Sequence, residues 1–159
     1  MDPIVAKFRF EQEAAQDIRD NYQLLRQRGW QVIHCDFPYL VVKLPPSPGG
    51  RVRLVKMDLA NFDDEAPKWS LVKEEEGFPE VPQSEYPSGG LFLGGHSVTG
   101  KIFFCMPGFW DYHTYSGHVR DLWQNHRFTI QDGKRVIKSG FKLGSLLMIL
   151  HDHLKQNGG

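Results

Sequence analysis

Trp30-Gln31-Val32-Ile33-His34-Cys35-Asp36-Phe37-Pro38-Tyr39-Leu40-Val41-Val42-Lys43-Leu44 is the stretch on which the fold turns. It holds two runs rich in aromatic and β-branched residues, the composition of strands, and Pro38 parts them because proline has no ladder donor. Trp30 to Asp36 is predicted as a first strand and Tyr39 to Leu44 as a second. Pro45-Pro46-Ser47-Pro48-Gly49-Gly50 then forms a turn cluster. Arg51 to Leu59 alternates, with Arg51, Arg53, Val55, Met57 and Leu59 on one face and Val52, Leu54, Lys56 and Asp58 on the other. Neither face is purely apolar, yet the period is that of a strand. After the turn-rich Asn61-Phe62-Asp63-Asp64, Ala66 to Val72 makes a short fourth strand. Consecutive strands on short turns favour an antiparallel meander.

Outward from this sheet the chain is helical at both ends. Asp2 is a capping residue and Pro3 suits a first helical turn. Phe10, Ala14, Ile18, Tyr22 and Leu25 follow at spacings of four, four, four and three, while Glu11, Asp17, Arg19, Arg26 and Gln27 lie elsewhere on the wheel. Gly29 stands where such a helix would close. At the other end Leu143, Leu146, Leu147, Leu150 and Leu154 make the apolar stripe of a closing helix. Between sheet and closing helix, residues 73–90 carry Glu74-Glu75-Glu76, Pro79, Pro82 and Pro87, and read as a surface loop. Leu91-Phe92-Leu93 and Lys101 to Cys105 are short extended pieces, and residues 106–140 are aromatic and histidine-rich with little periodicity. No internal repeat is present. The expectation is one α+β domain over residues 1–159, with helices packed on one face or end of a four-stranded antiparallel sheet.

Bulk properties narrow the function. Nineteen basic residues balance nineteen acidic ones, which argues against nucleic acid as a partner, since that usually demands a basic domain or stripe. No run reaches the roughly 18 apolar residues of a spanning helix, and Met1 to Phe10 lacks the apolar core of a signal peptide. Two cysteines, Cys35 and Cys105, do not make a disulfide framework. A reducing cytoplasm with no membrane partner is the expected setting.

In this order of elements the local text resembles ubiquitin-conjugating enzymes. Leu44-Pro45-Pro46 ends the second strand, and Leu59-Ala60-Asn61-Phe62-Asp63 with Ala66-Pro67-Lys68-Trp69 joins the third to the fourth. His96-Ser97-Val98-Thr99-Gly100-Lys101-Ile102, running up to Cys105, stands where that family has its His-Pro-Asn segment, glycine and catalytic cysteine; Ser97 and Val98 replace the Pro and Asn. More narrowly, Gly100 through Cys105-Met106-Pro107-Gly108, then Asp111-Tyr112-His113 and Gly117-His118, is similar to a bacterial ubiquitin-conjugating-like group. Metal binding through a Cys, Glu, His, His set is ascribed to that group, and Asp111 stands at the glutamate's place. The resemblance spans about residues 4–156, and its specific part is Cys105 to His118.

The resemblance implies a ubiquitin-conjugating-like transferase of a bacterial ubiquitin-like modification pathway, with antiphage defence as one setting. Cys105 would accept the C-terminal carboxyl of a ubiquitin-like modifier as a thioester from an activating enzyme, and pass it to an amine or hydroxyl. The first helix would be the docking face for that activating enzyme, by analogy alone. The transfer itself needs no cofactor.

Residue chemistry leaves two functional readings and a structural one. A thiol that carries an acyl group must be accessible, and a neighbouring imidazole can take its proton. His113 and His118 are within a short loop's reach of Cys105, so these three form the catalytic candidate, with Cys105 as acceptor and His113 as the assisting imidazole. Cys105, Asp111, His113 and His118, at gaps of six, two and five, are also all legitimate zinc ligands. A closed zinc site would make the chain a non-catalytic adaptor, and an unrelated α+β binding module is the third possibility. The structural alternative for Cys105 is a buried strand-end residue. Cys35 is expected in the core, Trp123 in packing, and His126-Arg127 as an anchor of the irregular segment. His96 is a remnant of the family tripeptide or an ordinary loop histidine. His151 and His153, flanking Asp152, are expected on a solvated helix end. Gly158-Gly159 follows the closing helix by two residues and reads as a helix stop, not as a modifier tail.

Overall fold

The Asp2 carboxylate accepts a hydrogen bond from the Ile4 N–H at 2.9 Å and caps α1, Pro3–Phe10, with Pro3 at its first position. In this computed structural model, which describes residues 2–19 and 22–157, the helix does not continue as one regular α-helix. Glu11–Arg19 is wound as a π-helix, and α2 follows over Tyr22–Arg28. The apolar spacing explains the change. Each step of four residues overshoots a 3.6-residue turn by about 40°, whereas the wider i→i+5 turn winds less per residue. Phe10, Ala14 and Ile18 thereby stay buried on one side, and Leu25 packs against the same core. Gly29 closes the helix at φ +66°, and the Trp30 N–H returns to the Leu25 carbonyl at 3.2 Å. That six-residue return bond is the Schellman closure, which glycine makes cheap. The Tyr22 side chain and Gly158-Gly159 fall outside the described residues.

The meander is present. β1 (Gln31–Asp36), β2 (Tyr39–Lys43), β3 (Leu54–Asp58) and β4 (Lys68–Val72) pair antiparallel in the order 1-2-3-4. Register runs Tyr39 opposite Asp58 and Leu54 opposite Val72, with an irregularity between Val32 and His34 in β1. Period-two alternation sends Leu40, Val42, Val55, Met57, Trp69 and Leu71 into the main core. On the opposite face Val41, Leu54 and Val72 form a second small cluster with Ile33 and Phe78. Phe78 comes from the 73–90 loop, which folds back along β4 through the Lys73 N–H to Pro79 carbonyl bond (2.9 Å). This explains why neither face of β3 is cleanly polar. The loop's acidic start, Glu74 to Glu76, is exposed as expected, but Tyr86 pins its far end: the phenol accepts from the Leu71 N–H at 3.0 Å and donates to Glu80 at 2.6 Å.

Residues 91–142 divide into short elements. β5 (Phe92–Leu93) pairs with β6 (Phe103–Phe104), and α3 (Trp110–Thr114) and α4 (Trp123–Arg127) follow. β7 (Phe128–Gln131) and β8 (Lys134–Ile137) make a hairpin within the stretch that shows little periodicity. Its signal is Asp132-Gly133, at φ +52° and +73°, the sequence preferred in two-residue hairpin turns. α5 (Leu143–Asn157) buries Leu143, Leu146, Leu147, Leu150 and Leu154 against the same core as α1 and the sheet. Among the described residues no helix is long and apolar enough to cross a membrane.

Candidate functional site

An aromatic platform sets the position of Cys105. Phe104 stacks on Phe92 with ring centroids 4.8 Å apart, and Trp69 of β4 packs edge-on to both. Asp111, at the start of α3, accepts from the Trp69 indole N–H at 2.8 Å and from the Phe104 N–H at 3.2 Å. Burial raises the Asp111 carboxyl above its ordinary value, opposed by those two bonds. Cys105 follows β6 directly, and its N–H bonds the Leu91 carbonyl at 2.8 Å. The strand pair ends there, so the thiol sits half-buried at the rim of the aromatic core. Partial burial pushes the Cys105 thiol up.

Beyond the thiol the chain must turn sharply into α3, and Gly108 makes that turn at φ +104°. A Cβ there would lie 2.5 Å from Leu146 Cδ2 on α5. Gly108→Ala is therefore expected to cost about 1–3 kcal/mol, read as a lowered urea midpoint with unchanged slope. An unchanged midpoint would mean that the turn tolerates a side chain.

His118 lies beside the thiol, with Sγ to Nδ1 4.0 Å. The imidazole is half-buried and stacks on Tyr112 of α3, centroids 4.1 Å apart and planes 16° from parallel. The Tyr112 hydroxyl donates to Asp121 Oδ2 at 2.6 Å, and His126 Nε2 meets Asp121 Oδ1 at 2.7 Å. The Tyr112 phenol is pushed up to about 12, chiefly by its bond to Asp121. The Asp121 carboxyl is held below its usual range, chiefly by the same bond and then by His126.

His113 is placed differently from His118. Its Nδ1 donates to the Asp121 carbonyl at 2.7 Å, and its Nε2 accepts from the Gly108 N–H at 3.0 Å. Burial lowers this imidazole below its ordinary value, in keeping with a neutral ring that donates from one nitrogen and accepts at the other. Both nitrogens are committed to the backbone. His113, expected from the sequence to assist the thiol, thus braces the turn at Gly108 instead, and His118 is the imidazole next to sulfur. His96 is buried in the loop between β5 and β6. It bonds the Asp111 carbonyl at 2.8 Å through Nε2 and accepts from the Val98 and Thr99 N–H groups through Nδ1. It braces this loop against α3.

The same bonds test the zinc set. The Asp111 carboxylate is turned to Trp69 and Phe104, and the His113 nitrogens are taken by Gly108 and Asp121. Among the described residues no three His, Cys, Asp or Glu side chains group so as to hold an ion. In this arrangement the Asp111 carboxylate and both His113 nitrogens are engaged elsewhere, so Cys105, Asp111, His113 and His118 do not stand as a four-ligand zinc set.

Other expectations divide. Trp123 is buried and its indole donates to the Asp63 carbonyl at 3.0 Å. Cys35 is half-buried against the core instead of within it. His151 is not on a solvated helix end. It is 3% exposed, and its Nδ1 accepts from the Trp30 indole N–H at 3.0 Å; α5 lies against the start of β1, so a histidine on its inner flank is covered. His153 also faces inward, 5.1 Å from the Phe104 ring. Arg127 is a stronger anchor than its sequence suggests. It is fully buried, bonded to Asp63, to Glu13 at 2.8 Å and to the Phe141 carbonyl at 2.8 Å, and stacked over Phe62 at 4.5 Å. The pairing of Tyr112 with Asp121 is not marked in the sequence, because a nine-residue separation across turns has no periodicity to read.

The chain is an α+β protein with a half-exposed thiol–imidazole pair at the edge of its core. No protein-family model matches the sequence, and a comparison with curated proteins finds no relative.

Proposed function

We propose that the chain is a ubiquitin-conjugating-like carrier in a bacterial ubiquitin-like modification pathway, with Cys105 as acceptor and His118 as its proton partner. The observation that carries this reading is the 4.0 Å approach of His118 Nδ1 to Cys105 Sγ at an accessible rim. The family resemblance of the flanking sequence and the helix–meander–helix order support it.

The chemistry follows from the groups present. A thiol whose pKa is raised by burial is mostly protonated at neutral pH, so it needs a base when it attacks. Nδ1 of His118 accepts that proton when the ring carries its own on Nε2. A separation of 4.0 Å is long for such a bond, and contacts of this kind tighten when substrate arrives. Sγ attacks the carbonyl carbon of the modifier's thioester on the activating enzyme. The new S–C bond forms, the bond to the donor sulfur breaks, and that sulfur leaves with a proton returned from the imidazolium. In the second transfer a target amine or hydroxyl attacks the same carbon, and Cys105 leaves and recovers its proton. Antiphage defence is one biological setting for such a pathway.

With the cognate activating enzyme and modifier, the wild-type chain is expected to give a reductant-sensitive adduct. Cys105→Ala should abolish it, and His118→Ala should slow loading by about a hundredfold, the lower end of general-base effects. An adduct of undiminished yield on Cys105→Ala would refute the assignment.

A further inference from the structure

We propose that Asp121 is a positioning residue for the thiol–imidazole pair, holding His118 beside Cys105 through the ring of Tyr112. The inference rests on the reading of Cys105 and His118 as a working pair.

His118 sits in the turn-rich segment between α3 and α4, where no regular element fixes its direction. Its backbone is held locally, N–H to the Tyr115 carbonyl at 2.9 Å and carbonyl to the Asp121 N–H at 2.9 Å. Its ring is another matter. A ligating or catalytic imidazole is commonly oriented by a carboxylate or carbonyl on its second nitrogen. Among the described residues no such bond reaches His118 Nε2, and the ring is held by packing, on Tyr112 at 4.1 Å and beside Tyr115 at 5.7 Å. The direction of the His118 ring therefore depends on the direction of the Tyr112 ring.

Tyr112 is in turn fixed at its far end. Its hydroxyl donates to Asp121 Oδ2 at 2.6 Å, and the other oxygen of that carboxylate is occupied by His126 Nε2 of α4 at 2.7 Å. The Asp121 carbonyl accepts from His113 of α3 at 2.7 Å. One residue thus ties both flanking helices together and closes the loop that carries His118. In this arrangement a carboxylate orients the imidazole at one remove, through a stacked phenol.

The test is the rate of Cys105 alkylation by iodoacetamide at neutral pH, followed at that residue by peptide mass spectrometry so that Cys35 does not interfere. Tyr112→Phe keeps the ring and removes its anchor; Asp121→Leu removes the anchor from the other side; Asp121→Asn keeps an acceptor for the phenol. Tyr112→Phe and Asp121→Leu are expected to slow alkylation by about tenfold, to the level of His118→Ala, while Asp121→Asn stays near wild type. His118→Ala/Tyr112→Phe should be no slower than His118→Ala alone, because the two act through one group. In NMR spectra the upfield ring-current displacement of the His118 ring protons should diminish in Tyr112→Phe. Should Asp121→Leu fail to fold, the Tyr112→Phe comparisons decide the matter alone. Slow alkylation in His118→Ala with wild-type rates in folded Tyr112→Phe would overturn the positioning role and leave the pair intact. A wild-type rate in His118→Ala would overturn both.

Discussion

Arg127→Met is expected to cost about 3–5 kcal/mol of folding stability. The guanidinium has no exposed surface, and its two carboxylate partners, Glu13 and Asp63, are nearly as deeply covered. Glu13 belongs to the π-helical stretch, Asp63 to the turn after β3, and Arg127 to the end of α4. The Phe141 carbonyl adds the approach to α5. Removing the cation takes the buried guanidinium from between two buried carboxylates, leaving Asp63 with the longer, half-exposed Arg9 approach at 3.7 Å. Burying charge without its main partner costs more than the bonds themselves. The triple change Arg127→Met, Glu13→Gln, Asp63→Asn should regain much of the loss, because the two buried carboxylates lose their charge together with the guanidinium. Equilibrium urea unfolding of the two proteins checks this. Equal loss in the single and triple variants would mean that packing, not charge, sets the cost.

The second large effect is a dependence on pH. His151 is covered, accepts from the Trp30 indole and has its pKa lowered to about 4, chiefly by burial and next by Lys155. The unfolded chain binds a proton at the ordinary histidine value near 6.5, so between about 6.5 and 4 it holds more protons than the folded one. Stability then rises with pH across that window and is lost as pH falls through it. The difference corresponds to roughly 3 kcal/mol at about 1.4 kcal/mol per pH unit. His151→Gln retains an acceptor for Trp30 without an ionisable group. Thermal midpoints from about pH 7 to about pH 4 should fall steeply for the wild type and much less for His151→Gln. Parallel curves would show that other groups carry the acid sensitivity.

Legibility follows the range of the interaction. The meander is readable because its strands alternate and its turns are marked by Pro38, Pro45 to Gly50 and the 61–64 cluster, all local signals. Both terminal helices are readable from their stripes, but in the first the strict spacing of four marks an altered winding that an ordinary helical stripe does not distinguish. The β7–β8 hairpin escapes detection although it carries the Asp132-Gly133 turn. It stands away from the core, with Ile130 70% exposed, so it shows no alternating apolar face. Arg127 pairs across 114 and 64 positions with Glu13 and Asp63, and His151 across 121 with Trp30. No pattern within a window records such partners. The candidate site is half legible: Cys105 and His118 come together, whereas the engagement of His113 with Gly108 and of Asp111 with Trp69 depends on tertiary packing.

The most direct measurement is the intact mass of Cys105→Ser after incubation with the activating enzyme, the modifier and ATP. An acceptor at this position should become an oxyester, adding the modifier's mass less one water, resistant to thiol reductant and cleaved by mild alkali. No added mass on Cys105→Ser, together with no reductant-sensitive adduct on the wild type, would contradict the account.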